Sequence, residues 1–176
     1  IALTSCLAGE VPTYILNNRI DKAKESIKEY LDIFGEDFYL ELQDNGLEEQ
    51  KYVNEKLIEL SKEFSVPLVA TNDVHYLNKE DAEIHDILLC IQTGSKLNDK
   101  DRLRFKTNEF YFKSEEEMSR IFESIPEALE NTVKIAEKCN LELPLNKVIL
   151  PVFEVPEGET LDSYFERLCW EGARKR

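Results

Sequence analysis

The sequence predicts an α/β fold with a largely parallel sheet, followed by a mainly helical segment. Two observations carry the first half. Over residues 20–72 the apolar spacing alternates between helical and extended periods, reading helix, strand, helix, strand. The last extended run, Val66-Pro67-Leu68-Val69-Ala70-Thr71, is apolar on both faces, as strands covered by helices on each side are. A third observation carries the second half: beyond about residue 95 the patterns become mainly helical.

In chain order, Ile20, Ala23, Ile27, Leu31 and Phe34 recur at helical spacing, and Gly35 stands where that helix should stop. Asp37 to Gln43 follows as a strand, aromatic and then alternating, and Asp44-Asn45-Gly46 turns the chain. Glu48 to Phe64 makes a second helix with Val53, Leu57, Leu60 and Phe64 on one face, and leads into the strand at 66–71. A helix is expected from Lys79 to about Ile91, then a polar loop from Ser95 to Asn108 and a short strand at Phe110-Tyr111-Phe112. Ser114 with Glu117 forms a capping-box pattern opening a helix through Phe122. Pro126 suits the first turn of another helix, reaching Cys139. Residues 144–156, with three prolines, read as extended, and a last helix begins near Thr160 with Leu161, Tyr164, Phe165, Leu168 and Cys169. These patterns place one soft boundary near residue 95 and another at the proline-containing connector.

Composition narrows the function. Hydrophobic residues make up 42% of the 176, enough for a core, while no apolar run approaches the roughly 20 residues that cross a bilayer. No membrane partner is therefore expected. The formal net charge is −14, which argues against a nucleic-acid surface over this chain, because displacing phosphate counterions needs clustered Lys and Arg. Lys96, Lys100, Arg102, Arg104 and Lys106 are interrupted by Asp99 and Asp101 and read as a solvated loop. The four cysteines are widely spaced, without a C-x-x-C pair, and read as reduced, mostly buried thiols of a cytoplasmic protein. The start at Ile1, without an initiator Met or leader, suggests a piece of something longer.

Functional residues of α/β folds gather beyond the carboxyl ends of strands, which is where Asn72-Asp73-Val74-His75-Tyr76 falls. In an extended segment Asp73 and His75 point the same way, so both can reach one metal, with zinc, manganese or iron suited to that pair. The ordinary alternative is a hydrogen-bonded Asp–His pair closing a strand. His85, on the following helix, either points back at Asp73 and His75 or packs as a buried polar contact. Cys6 sits in the small-residue turn Thr4-Ser5-Cys6-Leu7-Ala8-Gly9-Glu10, where a thiolate can ligate a metal or remain inert. Neither a Walker A loop, a G-x-S-x-G elbow nor an H-E-x-x-H helix occurs, and no pair of strand carboxylates suits two-metal nucleotidyl transfer.

Several blocks resemble the alpha subunits of bacterial DNA polymerase III. They are Thr4 to Glu10; Phe34-Gly35-Glu36-Asp37-Phe38-Tyr39-Leu40-Glu41-Leu42-Gln43-Asp44; Pro67 to Tyr76; Asp81-Ala82 with His85-Asp86; and Leu88 to Gly94. Phe110 to Lys113 with Glu117-Met118, and Asn131-Thr132 with Ile135-Ala136 and Cys139, complete the series. The resemblance implies that residues 1–94 are the C-terminal part of a polymerase-and-histidinol-phosphatase domain, a partial distorted β/α barrel. It implies a helical connection over 95–143, and a connector and helix leading into the polymerase palm over 144–176. The family's metal site uses an H-x-H motif, a later Cys and a closing D-x-H; Cys6, Asp73 and His75 match the last two, and the H-x-H would lie before Ile1. Asn45 stands where members commonly carry His, which counts against an active barrel. The polymerase aspartates would lie beyond Arg176, so no catalytic residue is expected in this chain.

Three functions follow as expectations. The parent would be a replicative DNA-directed DNA polymerase, using magnesium, with other replisome subunits as partners and DNA held elsewhere than on this segment. The barrel alone would be a metal-dependent phosphoesterase or proofreading-like nuclease, with zinc or manganese. The isolated chain would be a structural or interaction-mediating module without activity of its own.

Overall fold

In the computed structural model, which describes residues 1–148 and 150–176, the chain forms two compact units, Ile1–Asn140 and Leu141–Arg176. The first holds three parallel strands, β1 (Ala2–Leu3), β2 (Phe38–Leu42) and β3 (Leu68–Ala70), in the order β1-β2-β3. Ala2 lies opposite Phe38, and Leu40 opposite Leu68. Each crossover is helical, as parallel neighbours require. Helices α1 (Glu10–Leu16) and α2 (Ile20–Phe34) join β1 to β2, and α3 (Glu48–Phe64) joins β2 to β3.

Alternation along β2 builds the core. Phe38, Leu40 and Leu42 meet Val11 and Ile15 of α1, Ala23 and Ile27 of α2, and Val53, Leu57 and Leu60 of α3 in one buried cluster. Helix α2 stops at Gly35 as expected, with φ +56°, and α3 keeps its expected bounds, Ser65 after it taking the left-handed region with φ +56°. Gly35 to Asp37 then makes a single 3-10 turn, so β2 begins one residue later than the alternation suggests.

Past β3, a 3-10 turn at Lys79–Asp81 runs into α4 (Ala82–Thr93), closed by Gly94 at φ +67°. Helix α5 (Glu115–Ile121) starts at the expected capping box, with Ser114 and Glu117 each bonding the other's backbone. Helix α6 (Pro126–Lys138) packs on β3. There the Asn131 side-chain amide donates to the Leu68 carbonyl at 2.7 Å, a group on the outer edge of the sheet. Phe122 and Ala128 join the same core cluster, so the chain after residue 95 contributes to it. The second unit holds α7 (Leu161–Lys175), whose N-terminus Thr160 caps through Ser163, and none of whose residues is buried.

Some expectations need correction. Phe110-Tyr111-Phe112 is not a strand but one isolated parallel bridge, Tyr111 to Tyr76, because its neighbour is the irregular chain after β3. Arg102 is not a solvated loop residue: its side chain is 5% exposed and its two terminal nitrogens grip Asp86 at 2.5 and 2.6 Å. Of the cysteines, Cys90 is buried and Cys6 half-buried, whereas Cys139 and Cys169 are exposed; all four are free thiols. The expected α/β class holds: among the described residues the strands form a layer with a small parallel sheet.

Candidate functional site

The chain leaves each strand at the same end of the sheet, and there the polar residues collect. After β1 comes the turn from Thr4 to Gly9. Ser5 takes φ +66°, a left-handed conformation that costs a non-glycine residue about 1–3 kcal/mol. Gly9 closes the turn by donating its N–H to the Cys6 carbonyl at 2.8 Å. A Cβ at Gly9 would stand 2.1 Å from the Thr4 carbonyl oxygen, so no other residue fits without moving the turn.

Glu41 gathers these ends. It lies on the face of β2 opposite the apolar cluster, between Tyr39 and Gln43, and its carboxylate accepts from three segments. Oε2 accepts from the Ser5 N–H at 2.9 Å, while Oε1 accepts from the Gln43 amide at 3.1 Å and from the Thr71 hydroxyl. Its own N–H donates to the Thr4 hydroxyl at 2.8 Å.

Beside this network, with Gln43 shared between them, lies a pocket of about 220 Å³, lined by Cys6, Gln43, Asn45, Gln50, Asp73 and Phe110 among others. Cys6, Asn45 and Asp73 are thus brought together from the ends of three different strands. Gln43 and Asn45, both at least nine-tenths buried, each keep a side-chain oxygen without a hydrogen-bond partner in the structure. Buried acceptors of this kind are uncommon and costly, and mark a place where a donor or cation is favoured.

His75 departs from this group. Its Nε2 lies 3.2 Å from Asp73 Oδ1, so the two form a pair. Its ring packs edge-on against Phe105 and Phe110, with centroids 4.7 and 5.6 Å away. His85 does turn back from α4, its ring 5.6 Å from that of His75, with Phe105 at 4.9 Å and Tyr76 at 5.3 Å. Burial first, and the neighbouring His75 second, push the His85 imidazole below its ordinary value. Backbone bonds tie this cluster down: His75 N–H reaches the Phe110 carbonyl at 2.8 Å, and Phe112 N–H the Tyr76 carbonyl at 3.1 Å.

The donors present include one thiol, one carboxylate and unpaired amide oxygens. A divalent ion such as zinc takes four ligands, most often thiolate, imidazole and carboxylate. Among the described residues no three His, Cys, Asp or Glu side chains are arranged to hold one. These residues therefore do not by themselves make a metal centre.

The PHP domain family matches residues 1–45, the stretch that carries β1, the Cys6 turn and β2. Over its full length the chain is 49% identical to the DNA polymerase III subunit alpha of Borreliella burgdorferi, 44% to that of Treponema pallidum and 43% to that of Thermus aquaticus. The chain is thus similar, over its full length, to one segment of each of those three relatives. It spans 16%, 15% and 15% of those three relatives. The matches to the polymerase III alpha relatives run through both compact units, and so include the Cys6 turn, the Asp73 segment and α7.

Sequence reasoning passed over Glu41, Gln43 and Thr71. One signal was there: a carboxylate inside a strand whose other four residues are all buried is costly unless it is fully hydrogen-bonded. Which segments bond it depends on three strands meeting, and that is not written in any one of them.

Proposed function

We propose that this chain is a scaffold segment of a polymerase III alpha-type polypeptide, the whole of which is a replicative DNA-directed DNA polymerase that extends primer ends with magnesium. The observation that carries the proposal is the identity of 49% across the chain's whole length to a protein of that name. In this reading residues 1–94 belong to the PHP-type barrel, residues 95–143 form the helical connection, and residues 144–176 lead into the palm. The segment supplies no polymerase carboxylate. With a net charge of −14 it stands away from the duplex, and its partners are other parts of the replisome. No helix among the described residues is long and apolar enough to cross a membrane, which is compatible with a cytoplasmic replication machine.

The strand-end pocket supports a second, narrower proposal. Cys6 and Asp73 contribute a thiolate and a carboxylate to a metal site, for zinc or manganese, that further donors complete. His75 takes part by holding the Asp73 carboxylate, or by turning out of its aromatic cage to ligate directly. Asn45 can offer an amide oxygen but not the proton transfer of an imidazole.

One experiment tests the main reading. Antibody against this segment is used to capture the polypeptide that contains it from source cells, followed by primer extension and metal analysis. A captured polypeptide several-fold larger than 20.5 kDa that extends primers is the expected result. A band near that mass without extension would overturn it, whereas absence of bound zinc or manganese would remove only the metal proposal.

A further inference from the structure

We propose that Glu41 is the positioning residue of the strand-end pocket: its carboxylate holds the Cys6 turn and the Asp73 segment in one geometry. This rests on the reading of that pocket as the functional site. Three facts carry it. First, Ser5 sits at φ +66°, a conformation an isolated serine would leave, and the Ser5 N–H is held at 2.9 Å by Glu41 Oε2. Cys6 is the next residue, so the direction of its thiol depends on that turn.

Second, the other oxygen of the same carboxylate takes the Thr71 hydroxyl, two residues before Asp73. Thr71 N–H is also bonded to the Leu42 carbonyl, so β3 enters the pocket fixed at both backbone and side chain. One rigid carboxylate thereby spans the segments that carry Cys6 and Asp73. Third, the amide of Gln43 completes the set at 3.1 Å and leaves its own oxygen unpaired in the pocket wall. The carboxylate therefore also determines which end of Gln43 faces the pocket.

The bonding pattern makes a specific prediction about substitutions. Leucine at position 41 keeps the bulk and removes every acceptor, so the Ser5 turn loses its clamp. Glutamine can keep it: its oxygen accepts the Ser5 N–H, and its NH₂ group donates to Thr71 and to the free oxygen of a reoriented Gln43. Glycine in place of Ser5 adopts the left-handed turn without a clamp and relieves the dependence.

The test is alkylation of the free thiols by iodoacetamide in the full chain, followed cysteine by cysteine by peptide mass spectrometry, with Cys90 as the internal reference for global unfolding. Glu41→Leu should speed Cys6 alkylation about tenfold, the scale of a released left-handed residue, with Cys90 unchanged. Glu41→Gln should stay close to wild type, and adding Ser5→Gly to Glu41→Leu should restore slow Cys6 labelling. If Glu41→Leu alone does not fold, recovery of a folded, slowly labelled Cys6 in the double variant carries the same meaning. Unchanged Cys6 labelling in Glu41→Leu, a glutamine variant that behaves as leucine, or a double variant whose Cys6 stays fast, alone or together with Cys90, each overturns the proposal. None of these readouts involves a metal, so the clamp stands or falls separately from the metal reading.

Discussion

Asn131 shows how one side chain can finish a sheet. Its amide takes the Leu68 carbonyl at 2.7 Å, where a further strand would otherwise donate. Asn131→Ala leaves that carbonyl without a partner and should cost about 1–3 kcal/mol, read as a lower urea midpoint with an unchanged m-value. A second residue-scale prediction concerns acid. The Arg102 guanidinium beside Asp86 holds that carboxyl below its ordinary value. A depressed carboxyl contributes stability that is fully present above the unfolded value of about 3.9 and is lost as pH falls through the folded value. The loop from Lys96 to Arg104 should therefore lose amide protection on acidification before the far-UV signal does. Asp86→Asn should show the same loss already at neutral pH. Protection that persists to the global acid transition would contradict this.

At the scale of elements, the helices against β2 carry the stability. Ile27 and Leu57 are fully buried in the cluster. Truncating either to Ala should cost about 2–5 kcal/mol in chemical denaturation, whereas Ile33→Ala, at a position 69% exposed, should change little. The same elements show what periodicity can and cannot reveal. Helices α2 and α3 were legible because long apolar stripes repeat at 3.6 residues and end at residues that took positive φ. Strand β1 was not, since two residues carry no period and become a strand only by pairing with Phe38 and Tyr39. Helix α1 was hidden by its seven-residue length and by Pro12, which is harmless in a first turn but resembles a break. The pocket was half legible: Asp73 was found because it follows the apolar strand at 66–71, and Cys6 because it sits in a turn of small residues. The cage around His75 was not, because Phe105 arrives from a loop thirty residues further on.

At the scale of the molecule, every buried residue among those described falls within Ile1–Asn140. A chain ending at Asn140 should therefore unfold cooperatively with nearly the same urea midpoint, and a large loss would show that α7 contributes to the first unit's stability. The homology to the polymerase III alpha relatives spans both units, so residues 141–176 are retained in them without supplying any of the buried core described.

The two sides of the sheet are unequal. On the β3 side Asn131 occupies the outward carbonyl, while β1 on the other side is bordered by Ile1 and Leu3, both exposed. At β3 the outward acceptor that a further strand would need is already taken, so that edge offers no template for another chain at Leu68.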